Sequence, residues 1–273
     1  MTAEALRPEM AAILADSRRK LRAAILTGAA LAVVILAAFL YAGALNPKRY
    51  ADAIPTILKL ASDAFPPDFS RWQSWGKPLL ETLSMSVAGT VLGVCMALPL
   101  GALGARNVTR SNFINVPVRF VLNMLRSIPG LIWGVIYVAA VGFGPLPGVL
   151  ALATHSTGML GKFYAETMEH VDPGPGNALK SHGVSKLGVL RFSVVPQILP
   201  QLVDVTLYRW EHNLRAATTL GVVGAGGLGL EIITAFNLFE YREAMALIIV
   251  LLVLVTLITI LGARLRRHFL GQM

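Results

Sequence analysis

Residues 127–161 read SIPGLIWGVIYVAAVGFGPLPGVLALATHSTGMLG, a run of 35 residues that contains no Asp, Glu, Lys or Arg. A transmembrane helix needs about 20 mostly apolar residues, so this run is too long for one helix. Its middle, residues 142–148, holds three glycines and two prolines, and these residue types weaken or interrupt helices. The stretch therefore predicts a turn between two apolar helices, the first beginning near Phe113 and the second covering about 149–170.

The remainder of the chain is also too apolar for a solvated surface. Of its 273 residues, 55% are hydrophobic and 14% are charged, whereas soluble domains carry about 25% charged residues. Three further runs without Asp, Glu, Lys or Arg, residues 23–47, 82–105 and 244–263, each have the length of one span. A less apolar span is expected at about 198–222. The composition therefore predicts an all-α polytopic membrane protein with six transmembrane helices and excludes an ordinary soluble enzyme.

The basic residues indicate how these spans are oriented, because Lys and Arg concentrate in cytoplasmic loops. They flank the spans in four groups: Arg18, Arg19, Lys20 and Arg22; Arg106 and Arg110; Lys180, Lys186 and Arg191; and Arg264, Arg266 and Arg267. Six spans place all four groups on one side, so both termini are predicted to be cytoplasmic. The basic residues that flank the spans on the cytoplasmic side thus account for the net charge of +9, and no nucleic-acid partner is predicted.

The expected organisation follows from this topology. Its parts are a cytoplasmic N-terminal segment (1–22), a first transmembrane helix (23–45), a periplasmic loop (46–78), a core of five transmembrane helices (79–263) that includes a cytoplasmic loop (171–196), and a cytoplasmic tail (264–273). The first apolar segment exceeds the roughly 7–15 residues of a signal-peptide core, so we interpret it as a retained span. Cys95 is the single cysteine, which excludes an intrachain disulfide and a Cys-rich metal site.

The loop at 171–196 predicts a short amphipathic helix beside the membrane. Pro173, Gly174, Pro175 and Gly176 are expected to end the fourth span, and Asn177 is expected to cap the new helix. Apolar residues alternate with Lys180, Lys186 and Arg191 in the segment that follows. Two interpretations remain open: an interfacial helix held by lipid headgroups, or a docking helix for a cytoplasmic partner.

The same loop resembles the cytoplasmic signature of bacterial ABC-importer permeases, which reads Glu-Ala-Ala, three residues, Gly, nine residues, Ile-x-Leu-Pro. Here the spacing is kept, and Ala178, Gly183 and Pro196 match the signature, whereas Asn177, Leu179, Ser193 and Val195 depart from it. Further stretches resemble the PhnE-type permeases of phosphonate importers, which have a methionine-permease-like fold. These stretches are residues 125–130, 196–200, 207–215, 220–229 and 263–267.

The resemblance implies a set of partners. Permeases of this type form a homodimer in the bacterial inner membrane, and a cytoplasmic ATPase dimer docks on their loop helices. A periplasmic or extracellular substrate-binding protein delivers the phosphonate. The residues implied in ATPase coupling are Asn177, Ala178, Leu179, Gly183 and Pro196. ATP and Mg²⁺ would be bound by the partner ATPase, because this chain contains no phosphate-binding G-x-x-x-x-G-K-[ST] stretch.

A glycine-rich stretch after the fifth span has a different interpretation. Gly224-Ala225-Gly226-Gly227-Leu228-Gly229 matches the dinucleotide-binding pattern G-x-G-x-x-G, which requires a surrounding βαβ unit. It ends a predicted membrane span, so close helix packing or a bend is favoured instead. The candidate gate or packing glycines are Gly221, Gly224, Gly226, Gly227 and Gly229. With no catalytic constellation and no metal-ligand set, the chain is predicted to be a transport subunit and not an enzyme.

Charged residues within the spans mark the candidate substrate path, since such residues usually face a bundle interior or a water-filled pathway. The candidates are Arg126, Ser127, Arg209, Glu211 and Arg215. Arg126 and Glu211 are expected at a common depth, about 20 Å from the inner surface. Glu211 could simply pair with Arg215 or Arg126. Because three arginines face one well-placed glutamate, a path for an oxyanion is favoured.

Together with these features, the resemblance implies a permease that alternates between inward-open and outward-open states when a cytoplasmic ATPase acts on it. The expected substrates are phosphonates or related phosphorus oxyanions. The alternatives are an importer permease for another small solute such as an amino acid, and a stand-alone secondary carrier or channel. Many secondary carriers show an inverted internal repeat, and none is recognised in this sequence. A membrane enzyme is disfavoured because no catalytic set is present.

Overall fold

The computed structural model describes residues 3–51, 53–109 and 111–270, and within these ranges every regular element is helical. The chain divides into two units, residues 1–62 and 63–273. The helices are α1 (Ala3–Tyr41), α2 (Pro47–Ala51), α3 (Ala53–Ala64), α4 (Gly76–Gly104), α5 (Asn112–Ser127), α6 (Gly130–Val141), α7 (Pro145–Glu169), α8 (Pro173–Ser181), α9 (Lys186–Val189), α10 (Val195–Leu220), α11 (Gly227–Asn237) and α12 (Tyr241–Leu270).

Three of the described helical segments are long and apolar enough to cross a membrane, namely Asp16–Tyr41, Trp72–Gly104 and Tyr241–Arg267. Two bent helix pairs, α5 with α6 and the segment Leu187–Ala225 with α11, raise the number to five if each pair is one span. The predicted all-α polytopic fold is therefore confirmed. Six spans remain a prediction, because α7 is not among these segments.

In the first unit, α1 is one continuous helix of 39 residues. The predicted cytoplasmic segment 1–22 and the predicted span 23–45 therefore have no structural boundary between them. The apolar part of this helix begins at Asp16, and Lys20 pairs with Asp16 one turn earlier at 2.7 Å.

The second unit is built around the close packing of α4 on α7. Small residues on α4, at Gly89, Gly93 and Gly101, face the α7 backbone. A Cβ added to Gly93 would lie 2.8 Å from the Cβ of Ser156 and 3.3 Å from the carbonyl oxygen of Ala153. The two backbones can therefore approach this closely only because no side chain separates them, which is a common mode of helix packing in membranes.

The predicted continuous helix through Arg119 and Arg126 is wrong, because α5 and α6 meet at an angle of 89°. Pro129 disfavours helical geometry at the residue before it, and Ile128 is accordingly extended, with ψ 122°. The indole nitrogen of Trp133 donates to the carbonyl oxygen of Leu125 at 3.2 Å across the break. This bond satisfies one of the carbonyl groups that the end of α5 leaves unpaired.

The glycine-rich stretch forms a bend, as the sequence predicted, and α10 and α11 meet at 58°. Gly224, Gly226 and Gly227 have positive φ angles of 93°, 85° and 72°, a region that other residues adopt at a cost. The first amides of α11 are capped from α4: Gly227 N donates to Glu81 Oε2 and Leu228 N to Thr82 Oγ1, each at 2.9 Å.

The other two candidate glycines lie on either side of this bend. A Cβ on Gly221 would lie 2.6 Å from the amide nitrogen of Leu230, and a Cβ on Gly229 would overlap the carbonyl oxygen of Thr218. Both glycines therefore allow α11 to fold back closely against the end of α10.

We expect Gly93→Ala to lower the free energy of unfolding by about 1–3 kcal/mol, the usual cost of overpacking. The added methyl group would meet the Cβ of Ser156, which is attached directly to a packed backbone. Thermal unfolding of the purified protein in detergent measures the effect. Gly76→Ala is the matched control on the same helix, because its Cβ would meet no atom within 4 Å. Equal melting temperatures for the two variants would contradict the proposed tight contact.

Candidate functional site

A buried polar cluster links three helices of the second unit. Asn213 of α10 donates through Nδ2 to Thr90 Oγ1 of α4 and to Ser156 Oγ of α7, each at 2.9 Å. Asn213 and Ser156 are fully buried, and Thr90 is 5% exposed. Thr90 in turn donates to the carbonyl oxygen of Ser86 at 2.6 Å. Every member thus has a partner, as buried polar groups require, and the cluster fixes the register of α10 against α4 and α7.

Arg209 adds a positive charge to this cluster. Its Nε donates to Ser156 Oγ at 2.9 Å, and its Nη2 lies 2.5 Å from His155 Nδ1. Because guanidinium nitrogens can only donate, Nδ1 of His155 acts as the acceptor. The imidazole is then neutral, with its hydrogen on Nε2.

Among the residues that the structure describes, no acidic side chain neutralises Arg209. It is 5% exposed, and it makes no ion pair with any carboxylate of the residues that the structure describes. A buried charge is costly unless it is paired, and hydrogen bonds to neutral groups offset only part of that cost. The arrangement therefore favours an anion beside Arg209.

A cavity of about 440 Å³ provides room for such an anion. Arg215 and His212, both exposed residues of α10, line it together with Arg209 and His155. Its remaining walls are small or apolar: Gly130, Leu131, Leu152, Ala216, Thr219 and Leu220. We call this space the arginine cavity. Two guanidinium groups can offer planar pairs of donors to an oxyanion, and the described lining contains no acidic residue that would repel it.

Glu211 does not belong to the arginine cavity. It is buried against α12, where its carboxylate accepts a hydrogen bond from Arg266 Nη2. Asp204, about two helical turns earlier on α10, lies 3.9 Å from the same guanidinium. The space for the Glu211 carboxylate comes from Gly262, where any side chain would overlap it.

This contact corrects one expectation, because Glu211 pairs with Arg266 and with neither Arg215 nor Arg126. Arg266 follows the apolar run 244–263, so its partner Glu211 lies beside the end of that run. Arg266, predicted to belong to a cytoplasmic tail, is part of α12.

Arg126 and Ser127 are also separate from the arginine cavity. Arg126 Nε donates to Asn123 Oδ1 at 3.1 Å, and Ser127 Oγ donates to the carbonyl oxygen of Asn123 at 2.7 Å. The Arg126 side chain lines a second cavity, between α5 and α7. Of the five predicted path residues, the structure therefore brings together only Arg209 and Arg215.

The predicted coupling segment is a short helix, but its start differs from the prediction. Asp172, and not Asn177, caps α8, because its carboxylate accepts the amide of Gly174 at 2.9 Å. The prolines and glycines of 173–176 form the first turn of α8 instead of a linker. Proline is well suited to that position because the first turn leaves its amides unpaired. Asn177 is an exposed residue inside the helix.

Gly183 has a specific role at the other end of α8. Its φ is 77°, its amide donates to the carbonyl of Lys180, and the amide of Val184 donates to that of Leu179. This pair of hydrogen bonds is the Schellman termination of a helix, which favours glycine at this position. The signature glycine thus ends α8, while Ala178 and Pro196 are exposed on the surface around it.

A glutamine connects α8 to α10. Gln197 Oε1 accepts the amide of Asp172 at 3.0 Å, and its Nε2 lies 3.3 Å from the carbonyl oxygen of the same residue. The Nε2 group also donates to the carbonyl oxygen of Ser193 at 2.9 Å. The start of α8 is therefore tied to the helix that carries Arg209 and Arg215.

Several site residues escaped the sequence analysis. The predicted site residues did not include His155, Ser156, His212, Asn213 or Thr90. Three of these, Thr90, His155 and Ser156, are polar residues within largely apolar stretches of α4 and α7. One available signal was the three-residue spacing of Arg209 and His212, which places them on the same face of α10. The partners on α4 and α7 carried no comparable signal.

Comparisons with known proteins agree with this architecture. Residues 89–271 match the family described as binding-protein-dependent transport system inner membrane component. The phosphite transport system permease protein PtxC of Stutzerimonas stutzeri is 47% identical over 236 residues, which cover 86% of each chain. The phosphate-import permease protein PhnE of Mycolicibacterium smegmatis is 37% identical over 224 residues, covering 82% of this chain and 42% of that protein.

The fold also resembles a solved transporter. An inward-facing structure of the MetNI methionine ABC transporter matches with a TM-score of 0.63 and 22% identity, covering 73% of this chain and 99% of that one. At this identity the match concerns the fold alone, and it agrees with the predicted methionine-permease-like architecture. Taken with the family match over two thirds of the sequence, it shows that this chain belongs to the family of binding-protein-dependent transport system inner membrane components.

Proposed function

We propose that the chain is the permease subunit of an ATP-driven importer for phosphorus oxyanions such as phosphite, phosphonates or phosphate. The names of its relatives support this substrate class. The observation that carries the proposal is Arg209, a buried cation with no acidic partner among the described residues, at the wall of a cavity that also contains Arg215.

The lining of the arginine cavity argues against the main alternative. An amino acid carries an ammonium group as well as a carboxylate, and a site for it would offer an acceptor for each charge. The described lining has four basic or imidazole side chains and no carboxylate. Glu211, the nearest acidic residue along α10, is already engaged by Arg266. The cavity is therefore better suited to a solute that is only anionic.

In the proposed assembly, two copies of this chain form a homodimer in the bacterial inner membrane, with both termini in the cytoplasm. A cytoplasmic ATPase dimer binds ATP and Mg²⁺ and docks on α8 and the segment after it. A substrate-binding protein delivers the oxyanion on the opposite side. Apolar side chains at Leu187, Leu190 and Phe192 are 75%, 45% and 67% exposed next to α8, which supports a protein partner at this surface.

The mechanism we propose is alternating access driven by the ATPase. Closure of the ATPase dimer would move α8, and the hydrogen bonds between Asp172 and Gln197 would pass that movement to α10. The arginine cavity is carried by α10, so its exposure would change from one side to the other. The glycine bend between α10 and α11 would act as a hinge, so that a change in the angle between the two helices opens or closes the outer end of the path.

We expect Arg215→Gln to reduce uptake of phosphite or a phosphonate at least tenfold at subsaturating concentration. A hydrogen bond to a charged group contributes about 1.5–3 kcal/mol, and about 1.4 kcal/mol corresponds to a factor of ten. Arg215 is exposed, so the variant should assemble normally. Uptake into proteoliposomes that contain the permease, its ATPase and its binding protein is the measurement.

Arg264→Gln is the matched control, since Arg264 is an exposed arginine remote from the arginine cavity. The control should transport normally. Unchanged uptake by Arg215→Gln would contradict an oxyanion path at this cavity. Stimulation of ATP hydrolysis by an amino acid in place of an oxyanion would support the alternative importer. Transport by the permease alone, driven by an ion gradient, would support the secondary carrier.

The turn after α8 generates a further prediction. Gly183→Val should lower substrate-stimulated ATP hydrolysis severalfold, because a β-branched residue is strained at a φ of 77° and weakens the end of the docking helix. Gly183→Asn is the control, since asparagine tolerates this conformation better than other residues do. A Cβ at this position meets no atom of the described residues within 4 Å. Equal activity of the two variants would show that the turn geometry does not govern coupling.

A further inference from the structure

A second basic cavity, of about 290 Å³, lies between α5 and α7. Its lining consists of Arg119, Leu122, Asn123, Arg126, Lys162, Ala165 and Glu166. Its lining and that of the arginine cavity share no residue. Three of its side chains are cationic and one is acidic, so it also favours an anion.

Two of the three cations are already paired. Arg119 lies 2.5 Å from Glu169 and donates through Nε to the carbonyl oxygen of Gly104 at 2.7 Å. Lys162 lies 3.4 Å from Glu166 on the next turn of α7. Arg119 is therefore a structural connection between α4, α5 and α7, and Lys162 keeps a partly neutralised charge at the cavity wall.

Arg126 is the unpaired cation of this cavity. Its Nε donates to Asn123, while its Nη1 and Nη2 groups make no hydrogen bond to any residue that the structure describes. Its backbone is held firmly, because a Cβ on Gly158 of α7 would lie 2.7 Å from the Arg126 amide nitrogen. The guanidinium thus projects from a fixed position, with donors available for a ligand.

The surface around this cavity is apolar. Phe120 and Met124 on α5 are 68% and 45% exposed, and Phe163, adjacent to Lys162 on α7, is 44% exposed. Apolar side chains exposed on the helices of a membrane protein are suited to contact with acyl chains. A ligand that combines an anionic phosphate with acyl chains would satisfy both the free donors and the apolar surroundings.

We propose that this cavity binds the phosphate of an anionic membrane phospholipid, with Arg126 as the principal donor and Lys162 as a supporting charge. This assignment replaces a role for Arg126 in the substrate path and does not depend on the proposed substrate. The shared chemistry is a phosphoryl oxyanion, and the acyl chains distinguish the lipid from a soluble anion. Binding would stabilise the junction of α5 and α7 beside the α5–α6 bend.

The test measures thermal unfolding of the purified full-length chain in a neutral detergent during titration with phosphatidylglycerol. We expect a saturable increase in melting temperature that phosphatidylcholine does not produce. Arg126→Gln should weaken the apparent affinity for phosphatidylglycerol about tenfold, in line with the loss of one charged hydrogen bond. Lys162→Gln should weaken it about threefold, because the Lys162 ammonium is already partly neutralised by Glu166.

Arg264→Gln controls for non-specific attraction between basic surfaces and anionic lipid, and it should behave like the wild type. A parallel titration with inorganic phosphate should cause no Arg126-dependent increase. Equal stabilisation by both phospholipids, or an equal loss of affinity in Arg264→Gln and Arg126→Gln, would overturn the proposal. An Arg126-dependent response to inorganic phosphate that equals the response to phosphatidylglycerol would also overturn it, in favour of a soluble oxyanion.

Discussion

The close approach of α4 and α7 is the constraint on which the rest of the second unit depends. Glycines on α4 allow the two backbones to approach until a single added methyl group would collide. This distance lets Thr90 and Ser156 share one partner, Asn213, on α10. The same serine accepts from Arg209. A candidate anion site is thus held in place by packing that involves no charged residue.

The distribution of acidic side chains decides which arginines are available to a ligand. Arg266 and Arg119 each meet a glutamate, on α10 and α7 respectively, so their charges serve to hold helices together. Arg209 and Arg126 meet none of the described carboxylates, and each faces a cavity. A buried charge is costly without a partner, so Arg209 favours an external anion, and Arg126 keeps free donors at the wall of its own cavity. Their different surroundings favour a small solute in one cavity and a lipid in the other.

Much of the fold could be predicted from the sequence because it depends on local composition. Within the predicted turn at 142–148, residues 142–144 do separate α6 from α7, although α7 already begins at Pro145. The bend after α10 lies at its glycines, and a short helix occupies the predicted coupling loop. Two predictions of helix boundaries were wrong because a single residue decided where a helix ends or begins. Pro129 broke an otherwise apolar span, and Asp172 took the capping position that Asn177 had been assigned.

The candidate site was only partly predictable, because charges in a helical bundle pair across large sequence separations. The sequence by itself determined a helical membrane permease with a surplus of arginine over glutamate, since hydropathy and residue type are properties of the chain. Only the tertiary structure decided which arginine is left unpaired. Glu211 meets Arg266, 55 residues away, and Thr90 meets Asn213, 123 residues away. Such contacts follow from how the helices pack, and helical periodicity along one segment cannot specify them.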